Sequence, residues 1–276
     1  MVALFSLVSA ALFGAGDFCG GQAAKRAGVI PIVAGSNLIG LLLVLVFAPS
    51  LAERFDGADF LTGMVGGLFG LVGISLLYRN LSRGPMAVVA PIAALTNAVV
   101  PVLWGVGFGE RPTSIHAAGI LLGFVAIVLV SRPPETAGVV APGLVLESVL
   151  AGAGFAGFFI ALDATDLASS PWPIVGGRLA TIVVLAAVLA VAPRARTPVR
   201  DVRWLILACG FCDCFANVLM LEALGRGMLS LVAVLTSLYP AATVLLARIV
   251  LQEQIGKGQL VGLVGTLGAV VLMVTG

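Results

Sequence analysis

The chain has 276 residues, of which 60% are hydrophobic and only 10% charged, where soluble domains carry roughly a quarter of charged residues. Fifteen Lys and Arg against thirteen Asp and Glu leave a net charge of +2, and the basic residues are scattered. This composition excludes a soluble globular protein and leaves no electrostatic footprint for nucleic acid.

A helix crossing a hydrocarbon core of about 30 Å needs about 20 residues. Apolar stretches of that size, bounded by charge, proline and glycine, occur at 3–23, 29–49, 60–79, 86–108, 114–131, 143–163, 172–192, 203–222, 228–250 and 258–275. They predict an all-α polytopic membrane protein of ten transmembrane helices. The first stretch lacks a basic n-region and a clear cleavage site, so it reads as a span and not a removable signal. It carries Asp17 on a stripe with Ser6, Ser9 and Phe13. In the third, Gly63, Gly66, Gly67, Gly70 and Gly73 are spaced by threes and fours, a smooth face for close helix contact. Tyr78, Trp172 and Trp204 at span edges read as an aromatic belt.

The fourth span holds Pro91 and Pro101 with Thr96 and Asn97 between them, and the ninth holds Pro240 beside Thr236, Ser237, Tyr239 and Thr243. Each proline removes an intrahelical hydrogen bond and frees a carbonyl. Such a break either exposes backbone to a substrate or merely bends the helix, and the hydroxyls either serve a substrate or satisfy their own backbone. Thr236, Tyr239 and Thr243 are expected to share one helical face. Ionisable residues well inside spans are costly and seldom face lipid. Asp17 is one; Arg178 follows Gly176 and Gly177 in the seventh span, where it could pair with an aspartate. Asp213 lies in the eighth, one turn from Asn217 and one turn after Cys209. Asp17 and Asp213 read as cavity-lining candidates, Arg178 first as a structural partner. Glu110 and Glu253 lie in tight turns and read as caps or structural pairs. The tenth span, with Gly258, Gly262, Gly265 and Gly268 and no internal charge, reads as scaffold.

Cys19, Cys209, Cys212 and Cys214 sit inside apolar stretches, which argues against a disulfide framework. The single histidine, His116, is remote from them in sequence, so the cysteines are expected to pack and no metal or cofactor is expected.

Shifting the chain by about 143 positions aligns 81–130 with 224–273 without a gap: Leu81, Arg83, Gly84, Val89, Glu110 and Gly119 meet Leu224, Arg226, Gly227, Val232, Glu253 and Gly262. The polar joint at 132–142 divides the chain into 1–131 and 143–276, each with five spans. An odd number of spans makes the second copy enter the membrane from the opposite side, so the halves form inverted repeats. That is a recurrent architecture of secondary transporters, with the substrate site near the midplane. Lys and Arg in the connecting loops favour both termini outside. With a cytoplasmic N-terminus only Arg54, Arg111 and Arg226 would lie inside, against Lys25, Arg26, Arg79, Arg83, Arg132, Arg194, Arg196, Arg200, Arg203, Arg248 and Lys257 outside.

The segment from Tyr78 to Pro112, YRNLSRGPMAVVAPIAALTNAVVPVLWGVGFGERP, its weaker copy from Glu222 to Glu253, and GAGDFCGG from Gly14 to Gly21 resemble the drug/metabolite transporter superfamily in its EamA-like branch. The resemblance implies a ten-helix basket of two inverted five-helix repeats. In it spans one, three, four, six, eight and nine surround a cavity, and five and ten support it from outside. It implies alternating access for small metabolites, often export of amino acids or related compounds, and cytoplasmic termini, against the loop count. It puts Asp17, Thr96, Asn97, Asp213, Asn217, Thr236 and Tyr239 on cavity-type spans, and matches Arg178 to an arginine common in the second span of a repeat, where the first half has Asn37. The expected protein is therefore a multi-pass secondary transporter or facilitator of the cell membrane, not an enzyme. Its partners would be a small-molecule substrate and the bilayer, with a carboxylate coupling transport to protons. The alternatives are a membrane-embedded enzyme acting on lipid, or a non-transporting membrane scaffold.

Overall fold

The structure, a computed structural model, describes residues 1–83, 86–130, 142–192, 199–250 and 256–276. These residues form α1 (Val2–Ala24), α2 (Val29–Leu51), α3 (Gly57–Arg83), α4 (Met86–Gly107), α5 (Ser114–Val130), α6 (Pro142–Asp163), α7 (Trp172–Val191), α8 (Arg203–Leu224), α9 (Leu229–Thr236), α10 (Tyr239–Val250) and α11 (Lys257–Thr275), with 3₁₀ turns at Leu167–Ser169 and Arg200–Val202. The expected joint at 132–142, up to the start of α6, and Glu253 lie outside the described residues.

Among the described residues the expected apolar stretches are helical, the ninth as two helices, and the number that cross the membrane is not fixed by length and composition. Among the described residues eight segments are long and apolar enough to cross a membrane, one of them the run Leu229–Val250; the apolar parts of the fourth and fifth stretches, Ile92–Gly107 and Ser114–Val130, are shorter. The run Leu229–Val250 is not one helix: α9 ends at Thr236 and α10 begins at Tyr239. Pro240 supplies the reason, since without an N–H it cannot bond the carbonyl of Thr236 four residues earlier. Ser237 and Leu238 form the turn. Prolines of α4 lie within a continuous helix.

Apolar residues cover the outside as well as the core. Leu42, Val46, Leu61, Val183, Val264 and Leu267 are each more than half exposed, a surface suited to lipid and not to water. Helices meet mainly across the two halves. α1 packs on α8 as α3 packs on α6; α2 packs on α8 as α3 packs on α7; α1 packs on α9 as α4 packs on α6. Exchanging the first five stretches for the last five converts each contact into its partner, and maps α2–α7 and α5–α11 onto themselves.

Lipid provides no hydrophobic drive between helices, so close approach depends on small residues. The glycine stripe of α3 performs this task. A methyl group at Gly67 would overlap the backbone of Gly177 in α7, and one at Gly63 would overlap the carbonyl of Pro173. Gly262 of α11 meets the backbone of Leu129 and Val130 in the same manner. In contrast, a methyl at Gly143, at the start of α6, meets nothing within 4 Å. Gly177→Val is expected to cost about 1–3 kcal/mol by overpacking, read as a lower thermal midpoint of the detergent-purified protein, while Gly143→Ala leaves the midpoint unchanged. Equal midpoints for the two variants would contradict the role of the α3–α7 crossing.

Candidate functional site

Between the halves, at mid-length of the helices, lies a cavity of about 110 Å³. Its walls come from both: Phe13, Asp17, Asn37, Gly67, Gly70, Tyr78 and Asn97 on one side, Phe155, Phe158, Phe159, Arg178, Cys209, Asp213, Asn217, Thr236 and Tyr239 on the other. α5 and α11 contribute no wall residue; they pack on each other.

The buried charge is organised around Asp213. Arg178 Nη2 donates to Asp213 Oδ2 at 2.7 Å, and Asn217 Nδ2 donates to Asp213 Oδ1 at 3.0 Å and to the Asp213 carbonyl at 2.7 Å. Both carboxylate oxygens are therefore engaged. The spacing of Asp213 and Asn217 by one helical turn makes the second contact possible. Arg178 is buried, its side chain 5% exposed against 34% for Asp213, and its guanidinium lies against α2 at Gly40, where any side chain would overlap it. Its Nε and Nη1 have no partner and are fully buried.

Asp17 reaches the same cavity from α1. Helix α1 approaches α8 closely there, since a methyl on Gly16 would stand 3.6 Å from the Cβ of Cys212 and 3.8 Å from the amide nitrogen of Asp213. Ser9, farther along α1, donates to the carbonyl of Ala216 at 2.8 Å and ties the two helices together. Asp17 is half-buried, lines the cavity, and makes no ion pair among the described residues. Its electrostatic neighbour is Asp213, a like charge already neutralised by Arg178.

The helix break places further polar groups. Thr236 ends α9 and Tyr239 begins α10, so the two do not share a helical face with Thr243 as a continuous helix would require; both nonetheless line the cavity. Thr236 Oγ1 and the Tyr239 hydroxyl are buried without a partner. Thr243 instead donates to the carbonyl of Gly14 or of Tyr239. Asn97 Nδ2 donates to Ser237 Oγ at 3.0 Å, joining α4 to the break, and leaves its Oδ1 unpartnered.

Among the sequence candidates, Asp17, Asn97, Arg178, Asp213, Asn217, Thr236 and Tyr239 come together around one cavity. Thr96 does not line it. Its hydroxyl bonds the carbonyl of Ile92 at 2.8 Å, and its Cβ packs where α4 crosses α6 at Gly152. Tyr78 corrects an expectation: it is no belt residue but is 2% exposed and lines the cavity, its hydroxyl 3.3 Å from Cys209 Sγ. The signal was present, because Gly67, Gly70, Ile74 and Tyr78 follow one another at threes and fours along α3. Phe155, Phe158 and Phe159 of α6 were not singled out, since in sequence they are indistinguishable from lipid-facing apolar residues. Glu110 does act as a cap: its Oε2 accepts from the backbone N–H of Ser230 at 3.1 Å in the first turn of α9. His116 lies away from the cavity, beside the terminal Gly276.

The sequence signature described as the EamA-like transporter family matches residues 1–132 and again residues 143–275. A crystal structure described only as that of a protein superposes with a TM-score of 0.80 at 18% identity, covering 98% of this chain and 95% of the other, a likeness of fold. No curated protein matches by sequence.

Removing one member of a buried ion pair costs about 3–5 kcal/mol when the other is left uncompensated; the partial exposure of Asp213 to the cavity places this pair at or below the low end. Arg178→Met and Asp213→Asn are each expected to lower the thermal midpoint, and the double variant to lie above the sum of the two losses. Additive losses would show that the pair is not a unit.

Proposed function

The chain belongs to the EamA-like transporter family, and from that premise we propose that it moves a small polar or amphipathic metabolite across the cell membrane as a secondary transporter or facilitator. It is a multi-pass integral membrane protein. In the proposed architecture residues 1–131 and 143–276 are inverted five-span repeats, ten crossings in all, and rocking of one half against the other exposes the central cavity to each side in turn. The paired exchange of helix contacts between the halves supports this reading.

The observation that carries it is the cavity itself: lined by both halves and furnished with an unpaired carboxylate and buried polar groups without partners. Asp17, Asn97, Asp213, Asn217, Thr236 and Tyr239 form the proposed contact set, with Arg178 holding Asp213. Ion pairs join the halves at both ends of the bundle, Arg54 with Asp166 at 2.7 Å and Arg79 with Glu147 at 2.6 Å. Exposed pairs of this kind are worth about 0–1 kcal/mol, so each can open while the other closes.

Coupling to protons is assigned to Asp17. Asp213 is held by Arg178 and Asn217, whereas Asp17 has no such partner. In proteoliposomes under an imposed pH gradient, at least one compound from a panel of amino acids, amines and organic acids is expected to accumulate, and Asp17→Asn is expected to remove the response to the gradient. Flux of no panel member in the wild type would contradict transport. Flux that still follows the pH gradient in Asp17→Asn would contradict the coupling role.

A further inference from the structure

We propose that the cavity selects a monocationic amine with an apolar, ring-bearing body, its ammonium group held by Asp17. The setting is the transport reading above; the substrate class goes beyond it.

Three cavity residues carry formal charge, Asp17, Arg178 and Asp213. The last two cancel in an ion pair of 2.7 Å, and the second oxygen of Asp213 is taken by Asn217. One carboxylate remains without a counter-ion, half-buried and open to the cavity. An isolated carboxylate ionised in an apolar setting is costly, and a ligand bringing a single positive charge pairs with it in place of a proton. An anion would find no counter-charge on Asp17. The carboxylate of a zwitterion would need a reachable cation. The structure does not offer one: the unpartnered Nε and Nη1 of Arg178 are fully buried, with the guanidinium pressed on α2 at Gly40. These nitrogens are closed to a molecule in the cavity.

The walls indicate the rest of the ligand. Phe13, Tyr78, Phe155, Phe158, Phe159 and Tyr239 line the cavity. Their ring faces carry partial negative charge, so they attract a cation and also accept an aromatic or aliphatic ring by stacking or edge contact. One carboxylate among six rings matches one ammonium on an apolar body.

Three probes share a ring and differ in charge: 2-phenylethylamine, phenylalanine and phenylacetate. Titrated into the purified full chain at neutral pH, the amine is expected to bind at least about tenfold more tightly than either of the others. Asp17→Asn is expected to remove that preference, and Asp17→Glu to keep it, with both variants first shown to elute as wild type on size exclusion. Equal or tighter binding of phenylalanine or phenylacetate, binding of none of the three, or amine binding unchanged in Asp17→Asn would overturn the proposal. Flux in proteoliposomes separates the two readings. A carried zwitterion in place of the amine overturns the substrate class and leaves transport standing, whereas amine binding lost in Asp17→Asn but without flux supports the site and counts against transport.

Discussion

Charge placed inside a hydrocarbon layer must be paired, wetted or neutralised, and that constraint governs the centre of this molecule. Arg178 and Asp213 meet it by pairing across α7 and α8, with Asn217 engaging the second carboxylate oxygen. A buried pair of this kind contributes little net stability. Its consequence is allocation: with Asp213 engaged, Asp17 is the cavity carboxylate left without an ion-pair partner among the described residues. The backbone of α2 also serves the pair, because a side chain at position 40 would overlap the guanidinium where it now lies.

The second constraint is the lack of hydrophobic drive between helices in lipid. Small residues at the crossings of α3 with α6 and α7, and of α5 with α11, let backbones approach closely enough for dispersion to hold them. Those crossings also create the cavity. Gly67 and Gly70 present no bulk on the α3 side, and Phe158 of α6 packs against Gly70 as part of the same cavity wall. The break before Pro240 completes the enclosure. It turns Thr236 and Tyr239 inward from the ends of two helices and lets Ser237 receive a hydrogen bond from Asn97.

Much of this was legible in the sequence because the bilayer restricts the options so strongly. Span lengths followed from apolar runs, since backbone polar groups in lipid must be satisfied within a helix. Asp17, Arg178 and Asp213 stood out because a charge in such a run needs a reason. Features that failed to show depend on neighbours distant in the chain. Tyr78 looked like a belt residue because its span ends nearby, and only packing against α1 and α8, where Gly20 and Cys209 lie, draws it inward. Thr96 had the right chemistry on the right helix, but α6 comes so close at Gly152 that its side chain is spent on packing. The phenylalanines of α6 carried no distinguishing mark, because lipid and an apolar cavity wall favour the same residues. Proline at 240 marked the break, yet prolines of α4 lie in an unbroken helix, so proline alone does not distinguish a bend from an interruption.

The account turns on which of two carboxylates is available at the centre of the bundle. A hydrophobic carbodiimide, which adds to a protonated carboxyl group within an apolar site, tests this on the unmodified chain, with the labelled residue located by peptide mass spectrometry. The account predicts label on Asp17 and none on Asp213, whose oxygens are held by Arg178 and Asn217. Label on Asp213 at the level of Asp17, or on Asp213 alone, would contradict it.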